Sequence, residues 1–360
     1  MKKHMAALAA ASLAVAGLML GACSADETSP AASTASTTPT AGTTLTVITH
    51  DSFELPDELV SAFEAQTGID VTFIAPGNAG TIVNQLILTK DSPLGDVVFG
   101  IDNTFAGRAI SNGVLQPYAS PNLPTDAATT AALADGIGSL TPIDWGDVCL
   151  NADVAWYGER SLAIPATLDD LVKPEYANQL VVTNPATSSP GLAFLAATVG
   201  AKGEDGYLAY WQELADNGVR VSASWTDAYT VEFSGSSGKG AYPLVLSYAS
   251  SPMYEVGDSG ESATVTIPGA CFRQVEYAGI VAGASNPLGA QLFIDWLLTA
   301  EVQSAIPDEM YMTPVSPAAT LPAEWGKYVN VVTAPIWVSP ALIEANRETW
   351  IQDWTEIVLG

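Results

Sequence analysis

The chain has 360 residues, with 39 acidic against 12 basic side chains and a formal charge of -27. That balance excludes nucleic acid and anionic lipid as electrostatic partners and favours cationic solutes, although solubility alone accounts for most of it. With only His4 and His50 in the chain, a His-based metal centre has little to draw on, and neither a metal nor a cofactor is expected.

The first predicted element is an export signal. Lys2 and Lys3 precede the apolar run Ala6–Leu20, which leads into Leu20-Gly21-Ala22-Cys23. A basic start, a short apolar stretch and small residues before a cysteine predict a lipoprotein signal peptide over residues 1–22. The alternative, an uncleaved anchor helix, suits the run poorly because it is short and Ala-rich for a membrane span. Cys23 is therefore the expected lipidation site. It places the mature chain on the extracytoplasmic face of the cell membrane, held by acyl chains and not by a span. Residues 23–43, mostly Ser, Thr, Ala, Pro and Gly, have no apolar periodicity and predict a disordered tether.

The globule that follows is long enough for two lobes, since single cores stop growing at about 250–300 residues. Lobe I is expected over 44–146 with part of 275–315, and lobe II over 147–274 with C-terminal helices to about 358. Lobe I opens with a strand at Leu45–Thr49, a helix after Pro56, a strand at Ile69–Ile74, a helix through Ile82 and Leu86, and a strand at Asp96–Ile101. This β-α-β-α-β order predicts a parallel sheet flanked by helices. Such sheets bind ligands beyond the carboxyl ends of their strands, where Asp51 and Asp102 stand. Each is equally readable as the cap of a following helix, and the two roles can coexist.

Lobe II repeats the pattern with strands at Leu180–Thr183, Val219–Ser222 and Tyr242–Ser247. The polar loop Asn184–Gly191 before the helix Leu192–Val199 offers hydroxyls and free N–H groups to an anion, or an ordinary Ser cap. Trp225, Tyr248 and Tyr254 fall at strand ends, where an aromatic box suits a flat or cationic ligand and core packing is the plainer alternative. Beyond the β-rich run Val275–Val281, a helix is predicted from Pro287 to about Ser304, then a loop Ile306–Pro314. A last helix covers Pro340–Val358, with Trp350 and Trp354 on one face. Once Cys23 is lipidated, Cys149 and Cys271 read as one disulfide in an exported chain. Two free thiols are the alternative.

Six segments carry a resemblance. Thr49-His50-Asp51-Ser52-Phe53, Phe99-Gly100-Ile101-Asp102-Asn103 and Pro142-Ile143-Asp144-Trp145-Gly146 are similar to the Y-D-S-F, G-L-D-N and P-F-D-Y-G motifs of thiamine-binding solute-binding proteins. Pro185–Gly191, Ser224–Tyr229 and Leu246–Tyr254 resemble P-R-T-S-T-P-G, G-W-S-E-A-Y and L-S-Y-T-T-S-P-A-Y of the same family, in the same order. The resemblance implies a two-lobed, type II periplasmic-binding-protein-like fold with the ligand in the inter-lobe cleft. It implies a monomer that captures thiamine, or its mono- or diphosphate, and delivers it to the permease of an ABC importer, with no catalysis.

The positions it implies for ligand contact are Asp51, Ser52, Asp102, Ser188, Ser189, Gly191, Trp225, Tyr229, Tyr248, Tyr254 and Tyr311. Tyr254 and Tyr311 would sandwich the rings, and Ser188 with its neighbours would take the phosphate. Tyr311 stands where the family has a tryptophan, and Ala186 where it has an arginine. Two other readings stay open: a carrier of polyamines or other cations, and a thiamine-degrading transferase with Cys149 as nucleophile. Ferric carriers resembling this fold use an adjacent Tyr-Tyr pair, which the chain does not contain.

Overall fold

The computed structural model describes residues 43–125, 138–329 and 332–360. The expected signal peptide, the lipidation site Cys23 and nearly all of the tether lie outside them.

The strands are β1 Thr43–Ile48, β2 Ile69–Ile74, β3 Val97–Asp102, β4 Leu115–Gln116, β5 Thr141–Asp153, β6 Leu180–Thr183, β7 Arg220–Ser222, β8 Leu244–Tyr248, β9 Thr264–Val281 and β10 Thr313–Pro314. They form one sheet in the order β2-β1-β3-β9-β5-β8-β6-β7, with β10 on β5 and β4 on β9. Two parallel groups, β2-β1-β3 and β8-β6-β7, stand at its ends. Between them β9 and β5 run antiparallel to each other and to the strands they meet. The fold is thus α/β, as the alternating pattern predicts.

Alternation along the strands sorts side chains to two faces. Leu45, Val47, Val97 and Phe99 enter one apolar core with Phe63, Phe293 and Ile306. Ile48, Val98 and Ile101 enter the other with Leu192, Trp211 and Trp354. The C-terminal helix Pro340–Val358 begins at Ser339, whose Oγ accepts from Leu342 N–H at 3.2 Å. Its Trp350 and Trp354 pack on Tyr207 and Trp211 of a helix at Tyr207–Asp216.

Three sequence expectations need correction. The single helix from Pro287 to about Ser304 is two, Pro287–Leu297 and Ala300–Met310, because the chain turns at Leu298-Thr299. The loop expected at Ile306–Pro314 is consequently helical as far as Met310, with Pro307 inside the last turns. Of the long strands β5 and β9, no strand was predicted over the first and only Val275–Val281 of the second.

These two strands are also bonded. Cys149 and Cys271 form a disulfide with Cα atoms 4.3 Å apart. Nearby, Arg273 donates twice to Asp147, at 2.8 and 2.9 Å, while its guanidinium lies 4.3 Å from the Trp145 ring centre.

Candidate ligand cavity

A cavity opens where strands of both parallel groups end. Its walls come from the turn after β1 (His50, Ser52), two helix starts (Asn78-Ala79 and Ser189-Pro190), Trp225, the end of β8 (Tyr248), Glu276 of β9, and Glu309–Met312.

The aromatic wall is braced from behind. Trp225 stacks on Tyr229, with ring centres 5.2 Å apart and planes at 15°, and meets Tyr248 edge-on at 6.2 Å. Trp225 Nε1 donates to Ser247 Oγ at 3.0 Å, and Tyr229 OH to Glu255 Oε1 at 2.9 Å. A polar tip fixed in this way leaves a ring face free for a ligand.

The floor is acidic. Glu276 lies opposite Asp102 of β3 on one side and opposite Asp144 of β5 on the other. His50 Nε2 stands 3.5 Å from Glu276 Oε2. The imidazole fits because Gly100 has no side chain: a Cβ there would fall 2.3 Å from His50 Cδ2, and its φ of 90° also favours glycine. Burial pulls the His50 pKa down, but Glu276, then Asp51 and Asp102, lift it above the usual value. Burial drives Asp144 well above the carboxylate range, and Glu276 adds to the rise. Asp102 is pushed up to about 6, chiefly by burial, against the opposing pull of the Ser189 and Thr104 hydroxyls.

Of the residues singled out in the sequence, Ser52, Ser189, Trp225, Tyr248 and Tyr311 line the cavity. Asp51 is exposed on the adjoining turn. Asp102 is buried, not on a rim, because its Oδ1 caps the next turn by accepting from Thr104 N–H (2.6 Å) and Phe105 N–H (3.3 Å). Ser188 is buried too and donates to Thr183 Oγ1 at 2.9 Å. Gly191 serves packing, since a Cβ there would come 2.5 Å from the Thr183 carbonyl oxygen. Tyr229 sits behind Trp225.

The expected Tyr254–Tyr311 sandwich is not formed in this conformation. Their ring centres are 3.9 Å apart, so nothing fits between them. Tyr311 caps its helix in the left-handed region at φ 61°, and Tyr254 OH donates to the Pro307 carbonyl of that helix. Both constraints draw the two rings together.

His50, Asn78, Ala79, Pro190, Glu276, Glu309, Met310 and Met312 line the cavity without having been singled out as contacts. Glu276 carried a readable signal, being the single charge in the apolar run Val275–Val281.

Residues 92–339 match the family described as bacterial extracellular solute-binding protein. The chain belongs to that family. This solute-binding protein is 30% identical over 320 residues to the thiamine-binding periplasmic protein of Escherichia coli K12, covering 87% of this chain and 93% of the relative. It is 27% identical to the thiamine-binding periplasmic protein of Brucella suis, over 86% of this chain and 91% of that one. Its structure resembles a solved periplasmic thiamin binding protein with a TM-score of 0.76 at 26% identity, covering 88% and 96% of the two chains.

Proposed function

We propose that this chain captures thiamine, or one of its phosphate esters, outside the cytoplasmic membrane and hands it to an ABC importer. One juxtaposition carries the reading: the Trp225 and Tyr248 rings share a cavity with the Glu276 carboxylate. Thiamine brings a fixed thiazolium charge and a flat aminopyrimidine. The rings offer faces for stacking and cation–π attraction, each worth about 0.5–2 kcal/mol. The carboxylate balances the cation or accepts from the amino group. Relatives named for thiamine at similar length support the same ligand.

Capture then works by population shift. The two parallel strand groups are joined through β5 and β9, and these form the hinge of a two-lobed trap. Thiamine favours the closed form by contacting both lobes at once, and the permease reads that form. Cys23, if lipidated, keeps the trap beside the permease. The transferase alternative needs a free thiolate at Cys149, whose sulfur is bonded to Cys271.

Calorimetry on protein lacking the leader tests the reading. Thiamine, its monophosphate and its diphosphate are titrated in turn, with spermidine as the competing cation. The expected result is saturable 1:1 binding of thiamine or an ester, with a change in tryptophan fluorescence from Trp225. No saturable binding of any of the three, or preference for spermidine, ends the proposal.

A further inference from the structure

The acidic floor holds more carboxyl groups than one ligand cation needs. Asp102, Glu276 and Asp144 stand abreast on β3, β9 and β5, in direct register across the two ladders. Like charges directly opposite one another destabilise a sheet, and burial raises that cost. All three are nevertheless buried, Asp102 and Asp144 at 0% exposure and Glu276 at 6%.

Their partners do not neutralise them. Neither oxygen of Asp144 has a donor besides the Glu276 carboxyl itself, and Oδ2 of Asp102 has none. Glu276 Oε1 accepts from Gln274 Nε2 at 3.1 Å, and its Oε2 faces His50. His50 Nδ1 accepts from Ser52 N–H at 3.2 Å, which puts the proton of the neutral ring on Nε2, toward Glu276. A second proton on the ring would break the Ser52 bond.

The remaining charges around the group are few. Asp51 acts on His50, and Arg347 of the C-terminal helix acts on Asp102. The Tyr248 and Tyr277 phenols adjoin the acids, and both are pushed up by burial, so they stay neutral. Glu309 stands on the cavity wall with Glu276. No arginine or lysine is paired with Asp144 or Glu276 among the described residues. Protons are therefore the cations that hold this row together while the cavity is empty.

We propose that the three acids and His50 form a proton reservoir beneath the cavity, discharged when a fixed organic cation seats against Glu276. This rests on the ligand reading above and adds its regulation. The balance is one for one: a cation enters, a proton leaves to bulk water, and the net charge of the closed site is unchanged. The proton comes from the row, or from His50 when the ring carries a second proton, whose loss restores the Ser52 bond. Retention then follows pH in a definite direction. Each group gives up its proton more easily when the cation is present, so affinity rises with pH while the row titrates and levels off once it is empty.

The test is calorimetry of thiamine binding from pH 5.5 to 8.5, in paired buffers of unlike ionisation enthalpy. Release of about half to one proton is expected near pH 6–7, with affinity climbing up to about tenfold per pH unit there. Asp144→Asn keeps the shape but cannot ionise, and His50→Gln removes the ring; each is expected to lower the proton count and flatten the slope. Should either variant fail to fold, the proton count of the unaltered protein still decides. Binding with no proton released and no pH slope overturns the reservoir and leaves the ligand reading standing. No binding of thiamine or its esters at any pH overturns both.

Discussion

Replacing Asp102 by Asn is expected to stabilise the empty protein at neutral pH. In the fold this carboxyl is fully buried and raised from 3.8 to about 6, so it binds its proton more tightly than in the unfolded chain. A raised pKa contributes stability that is fully present below the unfolded value, near 3.8, and is lost as pH rises through about 6. At roughly 1.4 kcal/mol per pH unit, the ionised group costs the fold about 3 kcal/mol by pH 7.5. Asn does not ionise, and its side-chain oxygen can still accept from Thr104 N–H and Phe105 N–H. Urea unfolding of both proteins at pH 4 and pH 7.5 is the assay. The variant is expected to match the parent within ~1 kcal/mol at pH 4 and to exceed it by about 3 kcal/mol at pH 7.5. A variant equally or less stable at pH 7.5, with the pH 4 values matched, refutes the assignment of a strained buried charge.

Arg273→Met strands the buried Asp147 without its bidentate partner, and a loss of about 3–5 kcal/mol in urea unfolding is expected; under ~1 kcal/mol contradicts the pairing. The double change Cys149→Ser with Cys271→Ser opens a loop spanning 122 residues. Its expected cost is about 4–5 kcal/mol by chain entropy, and thiol titration of the unreduced parent should find neither cysteine free. Gly80→Ala puts a Cβ 2.7 Å from the Ala186 carbonyl oxygen and 3.0 Å from Thr187 Cα, which are backbone atoms with little room to yield. That contact joins the helix Ala79–Leu88 to the loop before the helix Ser189–Lys202, where Gly80 N–H donates to Thr187 O at 3.3 Å. The variant should bind thiamine about tenfold more weakly and scatter X-rays with a larger radius of gyration; unchanged affinity and radius would show that the contact is incidental.

Local pattern made much of this fold readable. Ile69–Ile74, Leu180–Thr183 and Pro340–Val358 coincide with their predicted bounds, because each is an unbroken run of strand or helix formers with clear stops. β5 was illegible for a physical reason. It is buried along nearly all its length, so no alternation marks it, and Pro142, Asp144, Gly146 and Asp147 all read as loop residues. The cavity was half legible. Aromatic residues at strand ends, such as Trp225 and Tyr248, advertise themselves. The acid row does not, because Asp102, Asp144 and Glu276 meet only through ladder register, and no local window contains it. Asp102 was located, but its depth depends on the turn at Thr104-Phe105 folding over it.

The Tyr254–Tyr311 contact bears on timing. Ser250 Oγ donates to the Tyr311 carbonyl at 2.6 Å, and Tyr254 OH to that of Pro307, while the two rings touch. These fastenings tie the segment after β8 to the end of the helix Ala300–Met310, beside the cavity. A solute that needs them undone cannot enter at the rate it collides. Its arrival is clocked by how often all of them let go together, so the observed association rate should level off at high solute concentration. The same fastenings hold a captured molecule during the wait for a partner. Slow exchange is a useful property for a carrier that meets its solute dilute and its permease rarely.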